Sequence, residues 1–227
     1  MAQARLARKT RRVLVLLEQE YGRPRLGRDR KRVPPLDELI GTILSQNTND
    51  ANSGRAYANL TERFGTWQAV MEAPARRAAA AIRVGGLAKL KAPRIQRILR
   101  QLLAERGELS LDFLSRWPTA EAREYLCRFS GVGLKTASCV LLFSLGKPAF
   151  PADTHVLRVS KRLGLLDQRI TMDQAHAALE ALVPERDRLS MHLNLIRHGR
   201  RICHARKPWC DRCVVSSVCD YYAQLAG

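Results

Sequence analysis

The sequence predicts an all-α fold, and three observations support this prediction. Apolar residues recur at helical spacing from about residue 13 to about residue 197. Convincing alternation of apolar and polar residues, which would indicate strands, is absent. The tripeptide Gly131-Val132-Gly133 separates two apolar helical stretches, a pattern typical of two helices joined by a tight glycine hairpin. The 227 residues are enough for one large domain or two small ones.

Capping residues and turn formers give the helix boundaries. Pro35 favours the first turn of one helix, and Asn49 or Asp50 can cap the next. A basic Gly/Pro/Arg stretch at residues 22–32 predicts a crossing between domains. The predicted helices cover residues 13–21, 36–44 and 50–64, one from about 67, an alanine-rich one ending near 82, a basic one reaching about 106, and then 119–128, 134–145, 154–163, 172–182 and 186–197.

The charge balance indicates a polyanionic partner. Lys and Arg total 39 against 21 Asp and Glu, which gives a formal net charge of +18. Neutralising phosphates releases counterions, so such an excess favours nucleic-acid binding. A GC-rich genome could explain why arginine outnumbers lysine, but not the net charge. No apolar run reaches the ~18 residues of a membrane span, and no signal-peptide pattern is present. We therefore expect a cytosolic protein without membrane contact or disulfides.

The glycine hairpin predicts a phosphate-binding turn next to a reactive amine. Gly131 and Gly133 lack a Cβ, so the chain can turn sharply and approach another backbone. Free N–H groups at the start of the following helix suit a phosphate. Lys135 lies in that first turn, where the positive helix end, nearby arginines and partial burial disfavour the ammonium form. Lys135 is therefore a candidate nucleophile.

Four cysteines near the end of the chain predict a metal centre. Their spacing is C-x6-C-x2-C-x5-C, and basic residues around them favour the thiolate forms. The spacing alone fits either a Zn(Cys)4 site or a [4Fe–4S] cluster. The four candidate ligands are Cys203, Cys210, Cys213 and Cys219.

Together these motifs closely resemble the endonuclease III family, the iron–sulfur branch of the helix-hairpin-helix DNA glycosylases. The resemblance covers roughly residues 36–219 and rests on the hairpin with Lys135, on Asp153-Thr154-His155-Val156 and on the four-cysteine cluster. It implies a structural [4Fe–4S] cluster. It also implies two helical domains flanking a DNA-binding cleft: a six-helix barrel at 35–147 that carries Lys135, and a cluster domain made of 1–34 and 148–227 that carries Asp153.

The activity implied by the resemblance is that of a monomeric, bifunctional DNA glycosylase and AP lyase. Its partner would be double-stranded DNA containing oxidised pyrimidines or abasic sites. Lys135 would attack C1′, expel the base and form a Schiff base that permits β-elimination and strand nicking. Asp153 would stabilise the positive charge that develops on the sugar. Asp153 also reads as a helix N-cap, and the two roles can coexist.

Removal of a base requires the nucleotide to leave the stack, and the resemblance implies residues that fill the gap. These are Gln46 or Asn47, and Leu87; an ordinary helix end and a core leucine are the alternatives. His155 follows Asp153 and would contact the extruded base or the DNA, with a packing role as its alternative. Four cations beyond Leu87 fit either DNA contact or a solvated helix face: Lys89, Lys91, Arg94 and Arg97.

Two other functions compete with this one. A mismatch-type or adenine-type glycosylase of the same superfamily would tend to carry Ser or Tyr in place of Lys135, and adenine-type members have a further domain. A helix-hairpin-helix protein that only binds DNA would need no nucleophile. Ser130, Leu134 and Ala152 depart from residues common in the family, which leaves rate and lesion preference open.

Overall fold

The computed structural model describes residues 2–27 and 32–226, and it confirms the all-α prediction. No β-strand occurs in this part of the chain. The twelve α-helices found there are α1 (Ala2–Tyr21), α2 (Pro35–Ser45), α3 (Asp50–Phe64), α4 (Trp67–Glu72), α5 (Ala75–Ala81), α6 (Ala88–Arg106), α7 (Thr119–Cys127), α8 (Leu134–Cys139), α9 (Thr154–Arg162), α10 (Met172–Leu182), α11 (Arg188–Arg201) and α12 (Asp220–Ala226).

The chain forms two compact units. One contains Met1–Arg32 together with Pro148–Gly227, and the other contains Val33–Lys147. The predicted crossing at 22–32 leads from the first to the second, and its residues 28–31 lie outside the described residues. In the described ranges, every helix is too short or too polar to cross a bilayer.

The unit formed by Val33–Lys147 contains α2 to α8, and local signals begin its helices where the sequence predicts. Pro35 opens α2, the Asn49 side chain accepts a hydrogen bond from the Asn52 amide at 2.8 Å, and Thr66 caps α4. Apolar side chains from these helices are removed from water and drive the packing. Core members with no exposed surface include Leu39, Ile40, Ile43, Leu99, Leu126, Val140 and Leu141.

Helix α8 is shorter than the predicted 134–145. It ends at Cys139 and continues as a π-helical turn over Val140–Ser144. Because residues 140–143 are all buried, we attribute the wider turn to core packing, which periodicity alone cannot reveal. The amide of Lys147 closes this end with a 2.8 Å bond to the carbonyl of Leu141. The prediction that these residues are helical was right, but the prediction of one regular helix over 134–145 was wrong.

The other unit contains α1 and α9 to α12. Its core joins apolar residues of α1 to those of α9, α10 and α11. The prediction that the first helix starts near residue 13 was wrong: α1 begins at Ala2, since Leu6 also packs against this core. Helix α11 extends to Arg201 rather than 197, and α12 was not predicted.

Candidate functional site

The turn between α7 and α8 needs glycine at one position for a clear reason. Gly131 has φ +77°, and a Cβ there would lie 2.3 Å from the guanidinium carbon of Arg94. Gly133 differs, because its φ is −96° and, apart from its chain neighbours, no atom of the described residues lies within 4 Å of its Cβ position. The fold itself therefore does not require a glycine at 133. Its open face leaves the backbone at the start of α8 accessible to a ligand.

Lys135 is the second residue of α8 and is half-buried. No hydrogen bond or ion pair within residues 2–27 and 32–226 involves its side chain. No side chain caps the start of α8 at Gly133 either. The geometry therefore presents an uncommitted amine in the first turn of a helix whose N–H groups are available to an anion.

Gln46 belongs to the support of the hairpin. Its Nε2 donates to the carbonyl of Gly131 at 3.3 Å and to Oγ1 of Thr136 at 3.4 Å. Its Oε1 accepts from Nη1 of Arg94 at 3.0 Å. These contacts fix the end of α2 against the turn. Arg94 is half-buried and its guanidinium packs under Gly131, so the solvated-face alternative was wrong; contact of Arg94 with DNA stays a prediction.

The side chains of Asn47 and Leu87 are more exposed than that of Gln46. Both are exposed, and both have positive φ, +54° for Asn47 and +50° for Leu87. The left-handed region is costly for a leucine. Leu87 is 48% exposed, so its alternative as a core leucine is wrong. The two loops thus expose the amide of Asn47 and the isobutyl group of Leu87, each on a backbone with positive φ.

Lys91 was predicted to contact DNA or to lie on a solvated face, and both predictions were wrong. It is only 2% exposed and donates hydrogen bonds to two backbone carbonyls. Lys89 and Arg97 are exposed as expected for either alternative. Nothing in the local sequence separates Lys91 from Lys89 except the helical phase that turns one inward.

Asp153 is the N-cap of α9, which confirms the structural role that the sequence predicts for it. Its Oδ1 accepts the amide of Val156 at 2.8 Å. The side chain is half-buried, and in the described part of the chain the other oxygen has no hydrogen-bond partner. One oxygen of the carboxylate is therefore anchored and the other remains available to a ligand.

Two buried histidines, His176 and His192, hold the segment before Asp153. Nδ1 of His192 lies 2.8 Å from the carbonyl of Pro151. Nδ1 of His176 accepts the amide of Ala152 at 3.1 Å. Their positions in apolar helices gave no signal of this role, since the partners are backbone groups remote in sequence. They fix the backbone that carries the carboxylate.

His155 lies against α11. A Cβ at Gly199 would be 3.0 Å from the Cβ of His155, and Nδ1 of His155 is 3.2 Å from Nη2 of Arg158. Arg158 in turn donates to the carbonyls of Gly199 and Cys203, at 2.8 and 2.9 Å. The sequence analysis missed Arg158, which joins α9 to the start of the cysteine region. A role of His155 in DNA binding stays a prediction.

The four cysteines line one cavity in the unit that contains both termini. Nη1 of Arg162 is 3.3 Å from Sγ of Cys203, and the thiol of Cys219 contacts the Arg162 carbonyl at the same distance. Sγ of Cys213 lies 3.4 Å from Nε2 of His198. In the described residues, no group of three or more Cys, His, Asp or Glu side chains is arranged to hold a metal ion.

Burial sets the pKa of three of these thiols, those of Cys210, Cys213 and Cys219. It raises the pKa of Cys213 to about 11 and also raises the pKa values of Cys210 and Cys219. Charge on Cys203 and Cys219 contributes further to the raised pKa of Cys210, as expected for thiols that share one cavity. Thiolates in this cavity would need a cationic group among them. The donor set is therefore suited to a metal-containing cofactor.

Comparison with known proteins places these features in a family. Residues 40–185 match the family described as "HhH-GPD superfamily base excision DNA repair protein". Endonuclease III of Thermotoga maritima is 35% identical over 198 residues, which cover 87% of this chain and 88% of the relative. A protein of Arabidopsis thaliana, named for DNA glycosylase activity, is 38% identical over 172 residues, 76% of this chain; the chain spans only 59% of that relative's length.

Solved structures agree with the sequence relatives. A non-covalent endonuclease III–DNA complex and a trapped covalent endonuclease III–DNA intermediate each match with a TM-score of 0.82 and 27% identity. Each match covers 97% of this chain, with 98% and 99% of the solved chains. The resemblance to endonuclease III is thereby confirmed. This chain belongs to the HhH-GPD superfamily of base excision DNA repair proteins.

Proposed function

We propose that this protein is a bifunctional DNA glycosylase and AP lyase that removes oxidised pyrimidines from duplex DNA. As a member of this superfamily with endonuclease III among its relatives, it is a base excision DNA glycosylase. The finer proposal adds the lesion class, the lyase step and action as a monomer on damaged or abasic sites. The observation that carries it is the uncommitted, half-buried amine of Lys135 directly after the glycine hairpin.

The lyase step requires an amine that can bond to carbon. In the proposed reaction, the Lys135 nitrogen attacks C1′ of the extruded nucleotide, and the damaged base leaves with the bonding electron pair and takes up a proton. Ring opening gives a Schiff base. Loss of the acidified C2′ proton then expels the 3′ phosphate by β-elimination. The trapped covalent complex formed by endonuclease III supports this assignment by similarity.

Asp153 has the chemistry to assist departure of the base. Positive charge grows on the sugar as the N-glycosidic bond breaks, and a nearby carboxylate stabilises that charge. The capping bond holds one oxygen of Asp153 in place. The carboxylate would therefore lose little conformational entropy when its other oxygen stabilises the sugar. The buried histidines behind Pro151 and Ala152 add rigidity to the same segment.

Extrusion of the nucleotide is assigned to the two exposed loop residues. Gln46 is committed to the hairpin by three hydrogen bonds, whereas Asn47 is exposed. We therefore propose that Asn47, rather than Gln46, fills the gap in the stack, and that Leu87 acts as the wedge. Gly131 and Gly133 would admit the phosphate backbone at the hairpin.

For the cofactor we propose a [4Fe–4S] cluster held by the four cysteines. A zinc site needs all four sulfur atoms about 2.3 Å from one ion. A cluster instead binds each thiolate through a different iron. This suits four cysteines that line one cavity but, among the described residues, are not grouped around a single ion position. Arg162 and His198 beside the sulfur atoms would supply hydrogen bonds to them. The cluster would order the basic loop and take no part in the reaction.

Borohydride trapping on an abasic duplex tests the lyase assignment. The wild-type protein is expected to form a covalent protein–DNA adduct, and Lys135→Ala is expected to form none while still binding DNA. Lys89→Ala, which removes an exposed lysine on another helix, is the matched control and should trap normally. A wild-type protein that yields no adduct would contradict the lyase step.

A panel of duplexes tests the lesion class. We expect faster single-turnover release of an oxidised pyrimidine than of thymine from a G·T mismatch or of adenine opposite oxidised guanine. The reverse order would favour the mismatch-type or adenine-type alternative. Release of no base from any duplex, with DNA binding intact, would instead favour a protein that only binds DNA.

A further inference from the structure

The side chain of Lys91 is enclosed within the unit formed by Val33–Lys147. It is 2% exposed. Its Nζ donates to the carbonyl of Leu44 at 2.7 Å and to the carbonyl of Gly85 at 2.8 Å. No carboxylate in the described residues forms an ion pair with it. A lysine is thus buried among backbone acceptors, which is rare for this residue type.

Burial of this amine is costly, and the cost suggests a purpose beyond filling space. Removal from water disfavours the ammonium and lowers the pKa of Lys91. A methionine would fill a similar volume without that penalty. The two hydrogen bonds offset part of the cost, and the negative end of α2 contributes because Leu44 lies in its last turn.

The two carbonyls lie just before the loops that carry the exposed residues Asn47 and Leu87. Leu44 is three residues before Asn47, and Gly85 is two residues before Leu87. A Cβ on Gly85 would lie 2.9 Å from the Cβ of Ala56, so α3 packs closely against the second segment. A single amine therefore joins two short segments, each of which reaches a positive-φ residue within three positions.

We propose that Lys91 is a positioning residue that sets the distance between the two loops, so that Asn47 and Leu87 enter the base stack together. The inference rests on the proposed function, because it assigns a cause to the geometry of the extrusion step. Lys91 touches neither DNA nor the reacting atoms. Its effect should therefore fall on opening of the duplex and leave the chemistry of an already accessible sugar unchanged.

Two substrates separate these steps. A lesion in a fully paired duplex must be extruded before Lys135 can react, so its rate depends on the loop pair. An abasic site in single-stranded DNA needs no extrusion, and trapping there reports the amine chemistry alone. The ratio of the two single-turnover rates isolates the contribution of the loops from any general loss of active protein.

The test variant is Lys91→Met, which keeps the volume and removes both hydrogen bonds. We expect base release from the paired duplex to slow about tenfold, as expected for loss of one or two such bonds. The single-stranded abasic reaction should change less than about twofold. Arg100→Met, which removes an exposed cation of the same helix and its hydrogen bond to the carbonyl of Met71, is the matched control and should leave both rates unchanged.

A double-mutant cycle measures the coupling between Lys91 and the two loop residues, which is not expected if Lys91 has only a structural role. In a protein that already carries Asn47→Ala and Leu87→Ala, Lys91→Met should cause no further loss on the paired duplex. If Lys91→Met does not fold, Lys91→Gln retains one amide donor and should show the same selective loss to a smaller degree.

Three outcomes would overturn the inference. Equal losses on the two substrates would make Lys91 a residue of general stability, and unchanged rates would remove it from the extrusion step. Full additivity in the cycle would show that Lys91 acts independently of the loop residues. A wild-type protein inactive on both substrates would be a different failure, since it would overturn the proposed function itself and this inference with it.

Discussion

One carboxylate, Asp153, has a structural task and a proposed chemical one, and substitution can separate them. Asp153→Asn keeps a side-chain oxygen for the N-cap of α9, because Asn and Asp cap equally well. It removes the charge that would stabilise the sugar. We expect unchanged thermal stability and DNA affinity, with single-turnover base release slowed about 10²-fold.

Asp153→Ala is the comparison for this prediction. It removes both the cap and the charge, so it should lose about 1 kcal/mol of stability in addition to the same rate loss. Thermal unfolding and single-turnover kinetics on one lesion duplex measure both effects. A normal rate for Asp153→Asn would remove the carboxylate from the mechanism, whatever the result for the alanine variant.

For individual residues, the sequence could predict which side chains have suitable chemistry, but not which of them are buried. Lys135 and Asp153 could be proposed as catalytic residues because their motifs pair a residue type with a local turn. Lys91 and Arg94 lie in the same basic helix as Lys89 and Arg97, and the sequence treats all four alike. Their inward contacts include the carbonyl of Leu44 for Lys91 and the backbone of Gly131 for Arg94, both more than 35 residues away along the chain, so tertiary structure distinguishes them.

The loop before α6 gives a test at the level of elements. Leu87 has φ +50° at the N-cap of α6, a conformation that costs a non-glycine residue about 1–2 kcal/mol. Leu87→Gly relieves that strain, whereas Leu87→Ala keeps a Cβ and retains it. We therefore expect the glycine variant to melt about 2–4 °C higher than the alanine variant, the reverse of the usual order.

Both variants lose the isobutyl group, so both should release base from a paired duplex more slowly than the wild type. The same pair of proteins therefore measures strain and function independently. A glycine variant that melts below the alanine variant would show that the left-handed conformation is not maintained in solution. Full activity in both would exclude Leu87 as the wedge.

Helix positions were predictable where capping and periodicity agree, as in α2, α3 and α10. Predictions failed where packing decides. Helix α1 extends to Ala2 because Leu6 reaches the core, whereas the sequence predicted a helix only from residue 13. The π turn at Val140–Ser144 follows from burial on all sides, which no periodic pattern records.

At the level of the whole molecule, the net charge of +18 and the motifs predicted the partner class and the fold class. The spacing of the cysteines predicted a metal centre without identifying it. The structure adds that these cysteines line one cavity in the unit that contains both chain ends. The apolar residues Val215 and Val218 also pack in that unit's core, so the cysteine region and the core are coupled.

This coupling predicts which part of the protein would depend on the proposed cluster. Purified wild-type protein should contain about four iron atoms and four sulfides per chain. Cys213→Ser should lose them, and hydrogen exchange should then accelerate in residues 148–226 while 33–147 keep their protection. Cys127→Ser, in the other unit, is the matched control and should retain the iron. Zinc in place of iron would refute the cofactor, and equal loss of protection in both ranges would refute the local role, because a cluster that orders only its own unit cannot unfold the other.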